Sequence, residues 1–214
     1  MPKLRVHNFT ISLDGYAAGP DQTLENPMGV GTRDLHQWYF RTQYGRAMMG
    51  QPAGEPGNAD DERFVAAGDE NVGATIMGRN MFGPVRGEWP DDEWRGWGGP
   101  EPPNHHEVFV LTHHARDSFA AGETTFHFVT DGIRAAYDRA VEAAGGADVR
   151  IGGGASTVQQ YLEAGLVDEM HLAIAPIVVG GGERLFADGL KVPDGFEVVE
   201  VVQGTITHVR MAQA

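Results

Sequence analysis

The chain has 214 residues, and its 16 Lys and Arg against 30 Asp and Glu give a formal net charge of −14, which offers no basic face to a nucleic-acid backbone. Zero cysteines exclude disulfides, thiolate metal sites and a cysteine nucleophile. A hydrophobic content of 41% suffices for one domain with a full core, and no apolar segment approaches the roughly 20 residues of a membrane span.

The N-terminus, MPKLRVHNFTISLDG, alternates like a strand and lacks the apolar run of a signal peptide, so a soluble, cytoplasmic protein is expected. The first predicted strand covers residues 4–13 and stops at the turn pair Asp14-Gly15. Residues 20–31 read as loop, and 34–44 as helix, with Leu35, Trp38 and Tyr39 at helical spacing. The stretch QPAGEPGNADD (51–61) reads as an acidic linker, followed by a short helix over 62–67. Thr75, Ile76 and Met77 make a short strand ending at Gly78. Residues 83–104 combine Pro84, Pro90, Pro100, Pro102 and Pro103 with Trp89, Trp94 and Trp97, a long irregular excursion of the kind that often carries function.

Strands are predicted over 107–112 and 125–129, then a helix over 133–144 closed by Gly145-Gly146. In VRIGGGASTVQQYL (149–162) a strand end gives way to three glycines and then to a helix with Val158, Tyr161 and Leu162 on one face. A strand over 170–179, a second glycine run at 180–182 and two terminal strands near 197–202 and 205–211 complete the chain. Strands alternate with helices through the middle and end in an antiparallel-looking pair. That order predicts one α/β domain with a mostly parallel sheet and an antiparallel C-terminal edge.

In an open parallel sheet, ligands bind beyond the carboxyl ends of the strands. Gly152, Gly153 and Gly154 would let a pyrophosphate approach the backbone at a helix N-terminus, with Ser156 and Thr157 as caps or donors. The plainer alternative is a tight turn that needs positive φ. A second strand ends at Gly78 and Arg79, where an arginine can hydrogen-bond phosphate or cap a carbonyl. A third ends in Thr112, His113 and His114. Three such ends suggest one extended, multiply phosphorylated ligand, and a dinucleotide is the simplest.

Four motifs occur in order: SLDGYAAG (12–19), IMGRNMF (76–82), FVLTHH (109–114) and RIGGGASTVQQYLEAGLVDEMHLAIAPIVVGGGERLF (150–186). They resemble the dihydrofolate reductase-like superfamily, specifically the C-terminal reductase domain of the bifunctional riboflavin-biosynthesis deaminase–reductase and its stand-alone relatives. The resemblance covers most of the chain; residues 20–71 and the Trp-rich excursion fit it poorly. It implies a mixed sheet of about eight strands with flanking helices, NADPH as hydride donor, and often a homodimer. By position it puts Gly78, Arg79 and Asn80 at the cofactor phosphates, and Gly152, Gly153, Gly154, Ala155, Ser156 and Thr157 along the pyrophosphate. Leu111, Thr112 and His113 fall where the family grips the 2′-phosphate, often with serine and arginine or lysine. A neutral imidazole holds a dianion less strongly than arginine, which weakens the expected preference for NADPH over NADH. Ala17 and Asp14 lie in the first loop, where nicotinamide and substrate meet.

Reducing a C=N or C=O bond needs a hydride and a proton. Two acids are candidates for the proton: Asp14, if burial raises its pKa, and Asp34, one turn ahead of an aromatic in RDLHQWYF. His36 is a candidate substrate contact or a solvent-facing residue, and Trp38 is a candidate substrate contact with Trp89 and Trp97 as further members of a stacking wall; packing in the core or at an interface is the alternative for the tryptophans. The pairs His105-His106 and His113-His114 flank one strand and lie roughly 20 Å apart, so no metal site is expected from them. The reading is an NAD(P)H-dependent reductase of a small conjugated heterocycle or carbonyl, such as a pterin or a ribosylated pyrimidine. A flavin- or deazaflavin-linked reductase and a non-catalytic NADPH-binding sensor are the alternatives. A deaminase domain is not expected, because the chain is short and lacks the zinc-binding cysteines.

Overall fold

The computed structural model describes residues 2–84, 86–90, 93–96, 98–190, 192 and 194–214. In chain order the elements are β1 (Leu4–Ser12), β2 (Tyr16–Ala18), α1 (Gln37–Phe40), α2 (Gln43–Met48), α3 (Ala59–Asp69), β3 (Val72–Gly78), α4 (Arg79–Phe82), β4 (Glu107–Leu111) and β5 (Phe119–Ala121). They continue with β6 (Thr124–Val129), α5 (Gly132–Ala143), β7 (Asp148–Gly153), α6 (Ala155–Glu163), β8 (Glu169–Ala175), β9 (Glu183–Arg184), β10 (Phe196–Gln203) and β11 (Thr207–Gln213).

Among the described residues nine strands form one sheet in the order β10-β11-β8-β1-β7-β3-β4-β6-β5. The central strands β8, β1, β7, β3, β4 and β6 run parallel, and β10 and β11 make the antiparallel edge. β1 lies between β8 and β7 and is buried on both faces, with apolar Leu4, Val6, Phe9 and Ile11 on one side and polar Arg5, Thr10 and Ser12 among the buried residues of the strand. On the first side α6 buries Val158, Tyr161 and Leu162 completely, worth about 1.5–3 kcal/mol for each large apolar side chain. The Tyr161 hydroxyl donates to the Ile133 carbonyl at 2.7 Å, so its polar end is satisfied at the head of α5. The opposite face carries two separate clusters. Leu35, Trp38 and Val65 pack on Ala173 and Ala175 of β8, while Phe82, Trp89 and Trp94 pack on Val108 and Val110 of β4.

Several elements differ from expectation for local reasons. The predicted helix over 34–44 is two short ones. Thr42 caps α2 by accepting from the Gly45 amide, and its hydroxyl donates to Tyr39 O; this side-chain competition breaks the run. α3 starts earlier than residue 62 because Asn58 caps it, accepting from the amides of Asp60 and Asp61. β8 stops at Ala175 because Pro176 cannot donate to the ladder. Strands β2, β5 and β9 were not predicted; two or three residues are too few to show alternation. The main sheet therefore has nine strands rather than about eight, with β2 and β9 paired separately.

A buried polar chain ties α3 to three strands. A bulge in β1 turns the Asn8 amide toward His171 Nδ1 at 3.1 Å. His171 Nε2 lies 3.0 Å from His208 Nδ1, and His208 Nε2 lies 2.9 Å from the Asp61 carboxylate. Because the amide can only donate and the carboxylate only accepts, the donors run in one direction and both imidazoles are neutral. The Phe64 ring stacks on both histidines at 4.3 Å. Burial holds His171 down to about 2.

Candidate functional site at the strand carboxyl ends

The three strand ends singled out in the sequence belong to neighbours: β7, β3 and β4 are adjacent and parallel, so the glycine turn, Gly78 and Thr112 share one edge of the sheet. β1 and its following loop lie on the other side of β7.

The glycine turn forms the centre of this edge. Gly153 has φ +113, and Gly154 takes the N-cap position of α6 with no side-chain cap. The Thr157 and Val158 amides both bond to Gly154 O, while the first amides of the helix, at Ala155 and Ser156, have no intrahelical acceptor. The first turn holds no acid, Ser156 is exposed, and a Cβ at Gly154 would meet nothing within 4 Å. The result is an open backbone cradle at the positive end of a helix dipole. Gly78 is the close approach beneath it: a Cβ there would lie 2.4 Å from Thr157 Oγ1.

Arg79 is spent elsewhere than on a free cradle. Its guanidinium donates to the carbonyls of Gly87 and Glu88, the latter at 3.2 Å, and sits 3.9 Å over the Trp89 ring. It thereby staples the excursion to the end of β3, the carbonyl-capping alternative of the sequence reading. Asn80, next in α4, is half-buried beside it. At the end of β4, the Thr112 hydroxyl donates to His114 O at 3.3 Å and accepts from the His114 amide at 3.1 Å, which closes a small turn. Leu111 is half-buried, His113 is exposed, and the His114 ring faces Glu88 at 3.1 Å.

The first loop carries the largest correction. Asp14 accepts from Ser12 Oγ at 2.5 Å, from the Val179 amide at 3.1 Å and from the Gly180 amide at 2.7 Å. These donors favour the carboxylate and push its pKa down to about 2, led by the Ser12 hydroxyl. An acid so depressed is no proton donor at neutral pH; Asp14 instead clamps the 179–180 segment to the end of β1. The sequence missed these partners because Val179 and Gly180 offer backbone groups, which no side-chain motif announces. The second glycine run serves the same join. A Cβ at Gly182 would fall 2.2 Å from Ala18 O, β9 pairs with β2, and Gln159 of α6 donates to the carbonyls of Arg184 and Leu185. Ala17 is half-buried in β2, against the core beneath α6.

The remaining candidates are not brought to this edge as a wall. Trp38 is 3% exposed, its Nε1 donates to Thr10 Oγ1 at 3.0 Å, and its ring meets His208 edge-on at 5.2 Å; it is core rather than a stacking surface. Trp89 packs edge-on against Phe82 and Phe128 in the other cluster, and Trp97 lies outside the described residues. Asp34 is exposed in the turn that precedes α1 rather than in a helix, and His36 is half-buried at the α1 N-cap. Among the described residues no group of three or more His, Asp or Glu is arranged to hold a metal ion, and no helix is long and apolar enough to cross a membrane.

Residues 2–203 match the family described as the RibD C-terminal domain. The chain belongs to the RibD C-terminal domain family. Among proteins of this likeness, the uncharacterized protein YyaP of Bacillus subtilis strain 168 is 46% identical over 43 residues, 20% of this chain and 23% of that protein's length. A solved protein of Shewanella sp. PV-4, named for riboflavin biosynthesis, superposes with a TM-score of 0.59 at 22% identity, covering 100% of this chain and 99% of that one. A pyrimidine reductase-like protein of Corynebacterium diphtheriae gives 0.55 at 15% identity, over 100% and 92%. At these identities the two likenesses concern the fold, and that fold is the dihydrofolate reductase-like one expected of a RibD C-terminal domain.

Proposed function

We propose that this RibD C-terminal domain is a reductase that takes a hydride from NADPH and gives it to a small conjugated heterocycle or carbonyl. The observation that carries the reading is the uncapped start of α6 at the edge shared by three adjacent strand ends, with no side chain in the cradle among the described residues. An open backbone of this kind suits a pyrophosphate, whose two charges the amides of Ala155 and Ser156 and the helix dipole would offset. Membership of the RibD C-terminal family and the names of the two solved neighbours favour a pyrimidine-like substrate.

The residues present fit the cofactor at its pyrophosphate. Gly152 to Ala155 and Ser156 would hold it, Gly78 and Asn80 would flank it, and Ala17 and Asp14 would border the nicotinamide end. Bound NADPH would supply the hydride. The chain's own task is to orient donor and acceptor at this edge and to exclude water. Asp14, ionised at neutral pH, would keep the loop in place and leave proton delivery to another group or to solvent. For a 2′-phosphate the edge offers exposed His113, with Arg79 held by carbonyls and the Thr112 hydroxyl by its own turn. NADPH and NADH are therefore expected to bind within about tenfold of each other, since no arginine fork discriminates.

Turnover is tested by following loss of reduced-nicotinamide absorbance against a panel of pterins, aminopyrimidines and conjugated carbonyls. Oxidation with a member of the panel supports the reading. NADPH binding with no oxidation by any of them would favour the sensor reading, and copurifying yellow colour without NADPH binding would favour a flavin-linked one.

A further inference from the structure

We propose that the depression between α1, α2 and the loop 51–57 is a second binding site, for the phosphate or carboxylate group of a small molecule, held by Arg41 and Arg46. Two adjoining cavities of about 530 and 190 Å³ share these two arginines in their walls. The larger is of ordinary size for a small-molecule site.

The case rests on what the neighbouring acids do. Glu62 accepts from the amides of Gln43 at 2.9 Å and Gly57 at 3.0 Å, which ties α3 to α2 and to the loop. Asp61 is 2% exposed and is taken by His208 and by the amide and hydroxyl of Thr205. Asp60 faces Arg63 at 3.5 Å. Every acid in the first turn of α3 is thus committed, and among the described residues neither Arg41 nor Arg46 forms an ion pair. Arg41 and Arg46 are the charged side chains in the wall of the larger cavity, while Asp61 also borders the smaller one.

The site is also shaped for the charge. A Cβ at Gly54 would fall 1.7 Å from Arg46 Nη1, so the loop backbone lies directly against that guanidinium and restricts it. Gln37 and Gln51 add amide donors to the same wall, and Phe40 an apolar edge. A planar guanidinium fork matches phosphate and carboxylate oxygens in pairs, and restricting it beforehand lowers the entropy cost of binding. No residue is shared with the cradle at α6, so the proposal stands apart from the reductase reading.

Calorimetric titration of the whole chain with inorganic pyrophosphate, and separately with malonate, tests it in a Ser156→Asp background, which closes the α6 cradle, alone and combined with Arg41→Gln or Arg46→Gln. Each arginine change is expected to weaken oxyanion binding by about tenfold or more, the loss of one charge-assisted pair. Ser156→Asp should leave that binding in place. Arg41 is exposed, so its replacement tests the site even if Arg46→Gln folds poorly. Binding of pyrophosphate alone assigns a phosphate ligand, of malonate alone a carboxylate, and of both a small oxyanion in general. No binding by Ser156→Asp, or binding that survives both arginine changes in that background, overturns the proposal. Wild-type binding that Ser156→Asp abolishes belongs to the α6 cradle and overturns the proposal while supporting the reductase reading.

Discussion

At the scale of single residues, roles follow from partners rather than from residue type. Asp14 sits where a proton donor is expected, yet three donors hold it ionised, so it acts as a clamp. Asp14→Asn should lower the melting temperature at neutral pH without abolishing turnover; complete loss of turnover in a folded variant would restore the catalytic role. The sign with pH is fixed by the depressed pKa. The clamp's contribution is fully present above the ordinary value of 3.8 and is lost as pH falls toward about 2. Trp38 makes the complementary case, an aromatic at helical spacing that is core. Trp38→Phe removes its bond to buried Thr10 and should cost about 1–3 kcal/mol in urea unfolding, with cofactor affinity unchanged. The helical spacing of Trp38 with Leu35 was legible in the sequence, but its partner 28 residues away was not.

At the scale of elements, the strand–glycine–helix unit was legible because two independent signals coincide, a helical apolar face and glycines that leave the preceding turn bare. The unit depends on close approach: Gly78 lies so near α6 that Gly78→Ala drives a Cβ against Thr157 Oγ1. Overpacking of this kind should cost about 1–3 kcal/mol, and Thr157→Ala in the same chain should recover part of it, as paired urea melts would read. No recovery would mean that β3 and α6 do not meet as described. The α1–α2 break was hidden because Thr42 fits a helical pattern while its hydroxyl bonds the backbone. The β2–β9 pair was hidden because its order comes from Asp14, Gln159 and the glycines rather than from alternation.

At the scale of the whole molecule, the two sides of the sheet do different work: α5 and α6 close a continuous apolar core on one, while α3 seals the other through the histidine chain. That chain was illegible because histidines in strands read as solvent-facing positions until β8, β11 and α3 are brought together. It makes the fold acid-sensitive. His171 is held far below its ordinary value of 6.5, so the unfolded state binds its proton first, and stability is fully present above 6.5 and falls as pH drops below it. At pH 5 this one residue should remove about 2 kcal/mol relative to neutral pH, with His7, held down to about 4 by burial, acting in the same direction. Urea midpoints that do not fall between pH 7 and pH 5 would contradict neutral, buried imidazoles. The central claim concerns the other face, where the start of α6 is open. Its most direct test is a fluorescence titration with NADPH of the wild type and of Ser156→Asp, alongside their melting temperatures. An acid in the first turn favours the helix, by about 0.3–1 kcal/mol, yet repels phosphate from the same amides. The account predicts an unchanged or higher melting temperature with NADPH binding weakened by about tenfold or more; equal NADPH affinity in the two proteins would contradict it.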